Sequence, residues 1–331
     1  MEITGGGRLE VRITPADVGK RVSVRCLAEA TPGGEKFTDT VGVLTSWDAG
    51  VLLITRRTGE SVRIPESSLV AGKVVPAAPA RRRGPAADFD ELARVTARAW
   101  QPVERERLGD WELRAASGFT RRANSVLPLG DPGLPLDDAL DRVRAWYEER
   151  GLPAYVQTAT GAAGTQEQLG AQLAARGWVR EVSADLRIGA LAPIADLDAD
   201  VERVRLARSF NESWLQRYQR TGVPGGHVLK VLGSGPSVWF ASVGSDGTVP
   251  AAIGRCVVDG RWAGFMAVEV DPAYRRQGLA TAVMTSLAQR ALEEGASAAW
   301  LQVEQDNAGA EALYEGMGFT TLYRYHHFRS A

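Results

Sequence analysis

Val268-Glu269-Val270-Asp271-Pro272-Ala273-Tyr274-Arg275-Arg276-Gln277-Gly278-Leu279-Ala280-Thr281 is where the chain declares its architecture. It reads as a strand ending at Asp271-Pro272, a short loop, and a helix entered at Gly278. At a helix start the first N–H groups lack helical acceptors and point into one concavity. Helix start and loop amides together bind an anion, most naturally a pyrophosphate. Gly278 lets backbone approach phosphate closely, and small Ala280 does the same one step later. Arg275 and Arg276 add positive charge at the rim, one for phosphate and one for solvent. A dinucleotide-binding Rossmann turn would need Gly-x-Gly-x-x-Gly, which this stretch lacks.

Arg275-x-x-Gly278-x-Ala280 resembles the Arg/Gln-x-x-Gly-x-Gly/Ala loop of the GNAT superfamily of N-acetyltransferases. Further on, Trp300-Leu-Gln-Val-Glu-Gln-Asp-Asn307 and then Ala310-x-x-Leu313-Tyr314-x-x-x-Gly318-Phe319 resemble the family's second motif. The two motifs cover residues 262–328. The resemblance implies an α/β (α+β) GNAT fold, a mixed sheet flanked by helices. It implies acetyl-CoA as the coenzyme and no metal. In the family a bulge splays the fourth strand from the fifth, and the pantetheine arm lies in the gap. By that correspondence, backbone groups of Val268 and Val270 pair with the pantetheine amides. The diphosphate sits on the amides of Gln277, Gly278, Leu279, Ala280 and Thr281, beside Arg275 and Arg276. Asn307 holds the arm from the other side.

The implied reaction is direct transfer: a neutral amine attacks the thioester carbonyl and coenzyme A leaves as thiolate. Tyr314 matches the family's tyrosine at the sulfur. A phenol with an ordinary pKa of about 10 keeps its proton at neutral pH, which suits an acid. The alternative is a packed aromatic on a helix. The base is harder to place. The family's glutamate positions fall on Gly264 and Gln302, so neither carboxylate is present. Glu269 is the remaining candidate, because desolvation between two apolar residues raises a carboxyl pKa. Its alternatives are an ion pair with an arginine such as Arg255, or replacement of the base by a water chain. Cys256 lies in an apolar strand with no adjacent histidine and reads as core. His326 and His327 read as surface or edge residues of a closing hairpin, whereas His227 falls in a loop able to face substrate.

Working outward, residues 1–75 are short runs rich in Val, Ile, Leu and Thr, at 9–13, 21–26, 40–46, 50–55 and 61–65. Turn signals separate them, as at Thr31-Pro32-Gly33-Gly34. Their order resembles a small SH3-like β-barrel. Residues 76–87, with Arg81-Arg82-Arg83, read as a linker. Residues 88–190 alternate helix and strand. Helices are expected at 89–100, 136–150 and 167–176, and strands at 111–115, 122–128, 154–158 and 179–188. Residues 191–331 form the catalytic GNAT domain by resemblance. Here the expected order is helix 201–218, strands 238–243, 251–258 and 262–270, helix 279–293, strand 298–303, helix 308–317 and hairpin 320–329.

Residues 169–189 and 310–330 echo each other, each reading helix, Gly-aromatic, strand. Residues 88–190 contain no Arg-x-x-Gly-x-Ala at the required place, so they read as a degenerate GNAT-like half in tandem with the competent one. Such tandem layouts resemble actinobacterial acetyltransferases. Gly118-Phe119-Thr120-Arg121-Arg122-Ala123-Asn124-Ser125-Val126 is unusually polar between two apolar strands. Arg122, Asn124 and Ser125 are therefore candidates for the acceptor site, with internal strand pairing as the alternative.

The chain has 331 residues, 39 basic and 40 acidic. That balance gives no global pull toward nucleic acid or membrane. Residues 1–84 carry 13 Lys/Arg against 9 Asp/Glu, a difference of +4, but lack clustered aromatics for nucleic acid. Cys26 and Cys256 lie far apart, outside any metal-type spacing. The N-terminal residues show no apolar leader core, and no apolar run spans a bilayer, so the default compartment is the cytoplasm. The favoured function is transfer of an acetyl group to a primary amine of a small molecule by a monomer or homodimer. Two alternatives are a protein acetyltransferase acting on a lysine or N-terminus, and a non-catalytic acyl-CoA-binding regulator.

Overall fold

The computed structural model describes residues 10–27, 37–75, 84–218, 225–244, 248–305 and 307–331. The arginine-rich linker, the turn at residues 31–34 and most of the loop at 221–226 fall outside these residues.

The first unit is an antiparallel meander: β1 (Arg21–Leu27), β2 (Phe37–Asp48), β3 (Val51–Thr55), β4 (Ser61–Pro65) and β5 (Leu69–Val74). Alternate residues Val22, Val24, Leu44, Leu52, Ile54 and Ile64 pack one face into a core, the period-2 pattern of a half-buried sheet. The order is β4-β3-β2-β1-β5, with β4 and β5 as edges. This is an open sheet, because the edges do not pair. The expected first strand at 9–13 is reduced to a single bridge, Val11 to Gly72.

Next come α1 (Phe89–Ala99), β6 (Glu104–Leu108), β7 (Trp111–Ala115), β8 (Leu127–Pro128), α2 (Leu136–Glu148), β9 (Tyr155–Thr160), α3 (Glu167–Ala175), β10 (Val179–Ala190) and α4 (Leu191–Ala195). The remainder is β11 (Val204–Ala207), α5 (Glu212–Arg217), α6 (Gly226–Gly233), β12 (Ser237–Val243), β13 (Ala252–Asp259), β14 (Trp262–Val270), α7 (Leu279–Glu293), β15 (Ala298–Glu304), α8 (Ala308–Gly316) and β16 (Thr320–Arg329). Three expectations need correction. Residues 201–218 are not one helix but a 3-10 turn, β11 and the short α5. Residues 320–329 form one strand rather than a hairpin. The expected strand at 122–128 is a 3-10 turn (Arg121–Ala123) followed by two-residue β8.

β6, β7 and β8 form a small sheet. The large sheet runs β11-β12-β13-β14-β15-β10-β16-β9. β10 lies between β15 and β16 and pairs antiparallel with both, so residues 88–190 and 191–331 share one sheet. The sheet is buried on both faces. On one side α7 lays Val283, Met284, Leu287 and Ala288 over Ala252, Cys256 and Ala263. On the other, α1, α5 and α6 bring Leu92, Trp214 and Val231 against Ile253, Val257 and Trp262.

The β3–β4 turn of the first sheet docks on this large sheet. Arg180 donates to the Gly59 carbonyl at 2.7 Å, Arg57 to the Thr321 carbonyl at 2.9 Å, and the Thr160 hydroxyl to the Arg57 carbonyl at 3.2 Å. No helix among the described residues is long and apolar enough to cross a membrane.

Candidate active site

β14 makes the opening. It pairs parallel with β15 from Trp262–Ala298 to Phe265–Leu301, and there the ladder stops. On its other side the register with β13 shifts between Ile253 and Arg255, and Ala267 takes φ +51°. A bulge of this kind bends a strand and raises its twist. Beyond it, Val268 to Val270 run apart from Gln302 to Glu304, leaving a gap between two inner strands.

Past the strand, Asp271 caps a 3-10 turn, accepting from the Ala273 amide at 2.8 Å. That bond, with Arg217 next, holds the Asp271 carboxyl below the usual range. Buried Arg217 donates to Asp271 and to the Pro250 carbonyl, tying α5 to the loop. Arg276 takes φ +63° and Gly278 φ +74°. Alternation into the left-handed region turns successive amides toward one side, the geometry of an anion nest. A Cβ at Gly278 would meet nothing within 4 Å, so its glycine answers to backbone conformation, not to crowding within the chain. α7 follows with no acidic residue in its first turn. Within the helix itself, then, no acid offsets the positive end that meets the loop.

A cleft of about 840 Å³ brings together Val268, Val270, Arg275, Arg276, Gly278, Leu279, Ala280, Thr281 and Asn307. Gln277 instead borders a smaller cavity of about 210 Å³ beside Asp198, Asp200 and Arg203. Asn307 caps α8, its side-chain oxygen accepting from the Ala310 amide at 3.2 Å, which leaves its amide nitrogen outside the cap. An open cleft lined by a helix start and two arginines suits a linked phosphate pair, so these residues fit the coenzyme that the fold family uses.

A second cavity, about 390 Å³, adjoins the first. Both are bordered by Val268, Glu269, Asn307, Ala310 and Tyr314, so Glu269 and Tyr314 stand at the junction. Tyr314 is half-buried and edge-on to Phe319 at 5.9 Å. The expected alternative partner of Glu269 is otherwise engaged: fully buried Arg255 donates to the carbonyls of Leu232 at 2.7 Å, Ala99 at 3.0 Å and Ser234. Gly264 cannot carry a glutamate, because a Cβ there would collide with the Trp300 ring. Burial pushes the Cys256 thiol up to about 12, which keeps it protonated. His227 lies on α6 and borders neither cavity.

The second cavity sits between elements of 88–190 and 191–331. Trp100, Phe119, Arg121 and Arg122 face Tyr218, Met266, Gln302, Tyr325 and His327 across it. The three candidate acceptor residues part company here. Arg122 borders the cavity. Asn124 is buried and fully engaged: its oxygen accepts from the amides of Ala116 and Gly118 at 2.8 and 2.9 Å, and its nitrogen donates to the carbonyls of Phe119 and Thr120, both at 2.8 Å. Ser125 is buried and accepts from Arg114 at 2.9 Å. Both are internal scaffolding, and Asn124 shapes the loop that presents Arg122. Ser117, Gly118 and Thr120 in that loop all have positive φ.

Sequence reasoning also missed the two closing-strand histidines, which are buried rather than at a surface or edge. His326 is bonded to Ser183 at 2.7 Å and Thr160 at 3.0 Å. Alternation of Tyr325 and His327 along β16 was the signal for a shared face. Trp100, Tyr218 and Arg217 carried no such sign, because tertiary packing alone assembles them.

This architecture, a mixed sheet split between two parallel inner strands with an anion cradle at the split, is the GNAT acetyltransferase fold. The solved GCN5-related N-acetyltransferase from Kribbella flavida has it, with a TM-score of 0.53 at 17% identity over 73% of this chain and 95% of that one. Residues 86–329 match the family described as "Probable histone acetyltransferase Rv0428c C-terminal", and the chain belongs to that family. The "Probable histone acetyltransferase Rv0428c" of Mycobacterium tuberculosis is 34% identical over 141 residues, 42% of this chain and 43% of that relative. The chain thus aligns to less than half of that protein. The "Uncharacterized N-acetyltransferase YobR" of Bacillus subtilis is 25% identical over 255 residues, 73% of this chain and 98% of its own length.

Proposed function

We propose that this chain transfers the acetyl group of acetyl-CoA directly to a primary amine of a small molecule. The observation that carries this reading is the junction: Glu269 and Tyr314 border both the anion cradle and the cavity walled by 88–190. Amides of 278–281 with Arg275 and Arg276 would hold the diphosphate. Val268, Val270 and Asn307 would hold the pantetheine arm. The bound coenzyme supplies an acyl group activated as a thioester. The Glu269 carboxylate accepts the proton of the incoming ammonium, and the Tyr314 hydroxyl holds the proton available on the other side of the junction. The walls of the second cavity flank the incoming amine.

On this reading, 191–331 is the catalytic domain and 88–190 a degenerate GNAT-like half that walls the acceptor. The meander at 1–75 is an SH3-like module in a packing role, supported by its turn docked on β9 and β16. The protein works in the cytoplasm as a monomer or homodimer, without metal. The family's description favours a second reading, a protein acceptor. A cavity of about 390 Å³ is of a size for a small molecule, whereas a polypeptide needs a longer groove. A thiol-release assay over small amines and lysine peptides decides. Turnover with small amines supports the proposal; turnover only with peptides replaces it. Acetyl-CoA binding without turnover on either leaves an acyl-CoA-binding regulator.

A further inference from the structure

The acceptor cavity is not uniform in charge. Its mouth on the coenzyme cleft carries Glu269, whereas Trp100, Arg121, Arg122, Tyr325 and His327 border only the part beyond. Arg122 donates to the neutral Gln302 amide oxygen at 2.5 Å, and its guanidinium lies 5.4 Å from the centre of the Trp100 ring. Among the described residues no carboxylate forms an ion pair with Arg122. Behind it, buried Arg114 donates to the Ser125 carbonyl at 2.9 Å and to Gln157 at 3.1 Å, again without a carboxylate. Arg121 is more committed, pairing with Glu181 at 3.3 Å. Glu304, the other acid of the cavity, is solvent-exposed at the end of β15.

His327 sits in this electropositive end, 2% exposed, and neither ring nitrogen has a hydrogen-bond partner among the described residues. Tyr325 and Tyr155 meet its ring edge-on at 5.7 and 6.4 Å. Burial first, then Arg114, Arg122, Arg121 and His326, hold its pKa well below the usual value, so the ring is neutral. A neutral imidazole offers one N–H donor and one lone pair. Buried polar atoms are almost always partnered, so an unpartnered ring bordering a cavity points to a ligand as the partner.

We propose that this end of the cavity is a subsite for an oxyanion group, and that the acceptor is an amine bearing a carboxylate or phosphate at its other end. Arg122 supplies the charge, the His327 N–H a neutral hydrogen bond, and Trp100 a flat wall. Glu269 at the mouth attracts the ammonium and repels the anion, so the charge pattern fixes orientation. The inference rests on the amine-acetylation reading and adds the substrate class to it.

Affinity of matched pairs tests it by calorimetry on the full chain saturated with coenzyme A: 4-aminobutyrate against butylamine, and phosphoethanolamine against ethanolamine. In at least one pair the anionic member binds about 10- to 100-fold tighter, the scale of a charge-assisted contact. The responding pair tells carboxylate from phosphate. Arg122→Gln brings the ratio close to unity, and Arg122→Lys keeps part of it. Failure of coenzyme A to bind would sink the acetylation reading itself. Coenzyme binding with no preference in either pair overturns the subsite alone. If Arg122→Gln does not fold, inhibition of wild-type thiol release by butyrate or ethyl phosphate, competitive with amine, replaces it; no inhibition by either overturns the subsite.

Discussion

Two strand–loop–helix crossovers occupy matching places in this chain. In the later one β14 leads through α7 to a parallel partner, β15. In the earlier one two-residue β8 leads through α2 to β9, and the parallel contact is reduced to one bridge just before β8, Val126 to Val156. Each is followed by a helix and a closing strand, α3–β10 and α8–β16. The closing strands are exchanged: β10 pairs with β15, and β16 with β9. The plan is shared, yet the chemistry of the helix starts is opposite. α7 begins at Gly278 in the left-handed region, follows two arginines and has no acid in its first turn. α2 begins at Pro135 and places Asp137 and Asp138 there. Acids suit a helix N-terminus energetically, but they fill the field that an incoming anion would use. Topology is common to both crossovers; a glycine-opened turn and a first helical turn without acids belong to the later one alone.

The largest effect is expected from making the later crossover resemble the earlier one. Gly278→Glu forces a side chain into left-handed backbone, costing about 1–2 kcal/mol, and adds negative charge at the cradle. Acetyl-CoA affinity should fall about 100-fold or more by calorimetry. Ala280→Asp reproduces α2's first turn directly. It should leave melting temperature unchanged or slightly raised, because the acid favours the helix, while weakening acetyl-CoA about tenfold. Unchanged affinity in both variants would remove the cradle from the coenzyme site.

The second helices sharpen the contrast. Aligning Gly177-Trp178 with Gly318-Phe319 puts Leu173 opposite Tyr314. Leu173 is fully buried in core, whereas Tyr314 borders both cavities. A packing role needs no hydroxyl, as Leu173 illustrates. Tyr314→Phe should therefore lower kcat about 10- to 100-fold, the low end for general acid–base groups, with acetyl-CoA affinity held within about twofold. Glu269→Gln should do the same and flatten the fall in rate toward acid, since the base works only when ionised. Full turnover by either variant returns that residue to packing.

Much of this was readable in advance, for local reasons. Residues 268–281 fold as the strand, loop and helix that proline and glycine announce, and helices α1, α2 and α7 follow apolar spacing. What the chain hides is lateral. Nothing in the alternation of 179–190 tells that β10 will lie between β15 and β16, because order across a sheet is set by long-range pairing. Residues 201–218 mislead because Val204, Trp214 and Tyr218 fit helical spacing, while Val204 and Leu206 alternate toward β12. Asn124 misleads differently: a polar run looks available to ligand, yet four hydrogen bonds to its own loop consume that side chain. His326 and His327 look like edge residues until both neighbours of β16 are known.

The smallest effect concerns the exchanged strands, where the two crossovers are joined. β16 buries His326 between β9 and β10, against the Gly59 turn, whose Cβ would fall 2.6 Å from the imidazole. Burial, with Arg180 and Arg324 nearby and Asp185 opposing, lowers its pKa to about 3. The unfolded chain, with an ordinary value of about 6.5, takes up the proton first as pH falls. Stability is therefore whole above about pH 6.5 and is lost progressively toward pH 3. Between pH 6.5 and 5 one such histidine removes on the order of 2 kcal/mol. His326→Gln keeps a polar side chain between Ser183 and Thr160 but cannot titrate. Its melting temperature should sit below wild type at pH 7.5, and the gap should narrow by pH 5. An equal gap at both values would place the acid sensitivity elsewhere and leave the joint between the crossovers indifferent to protonation.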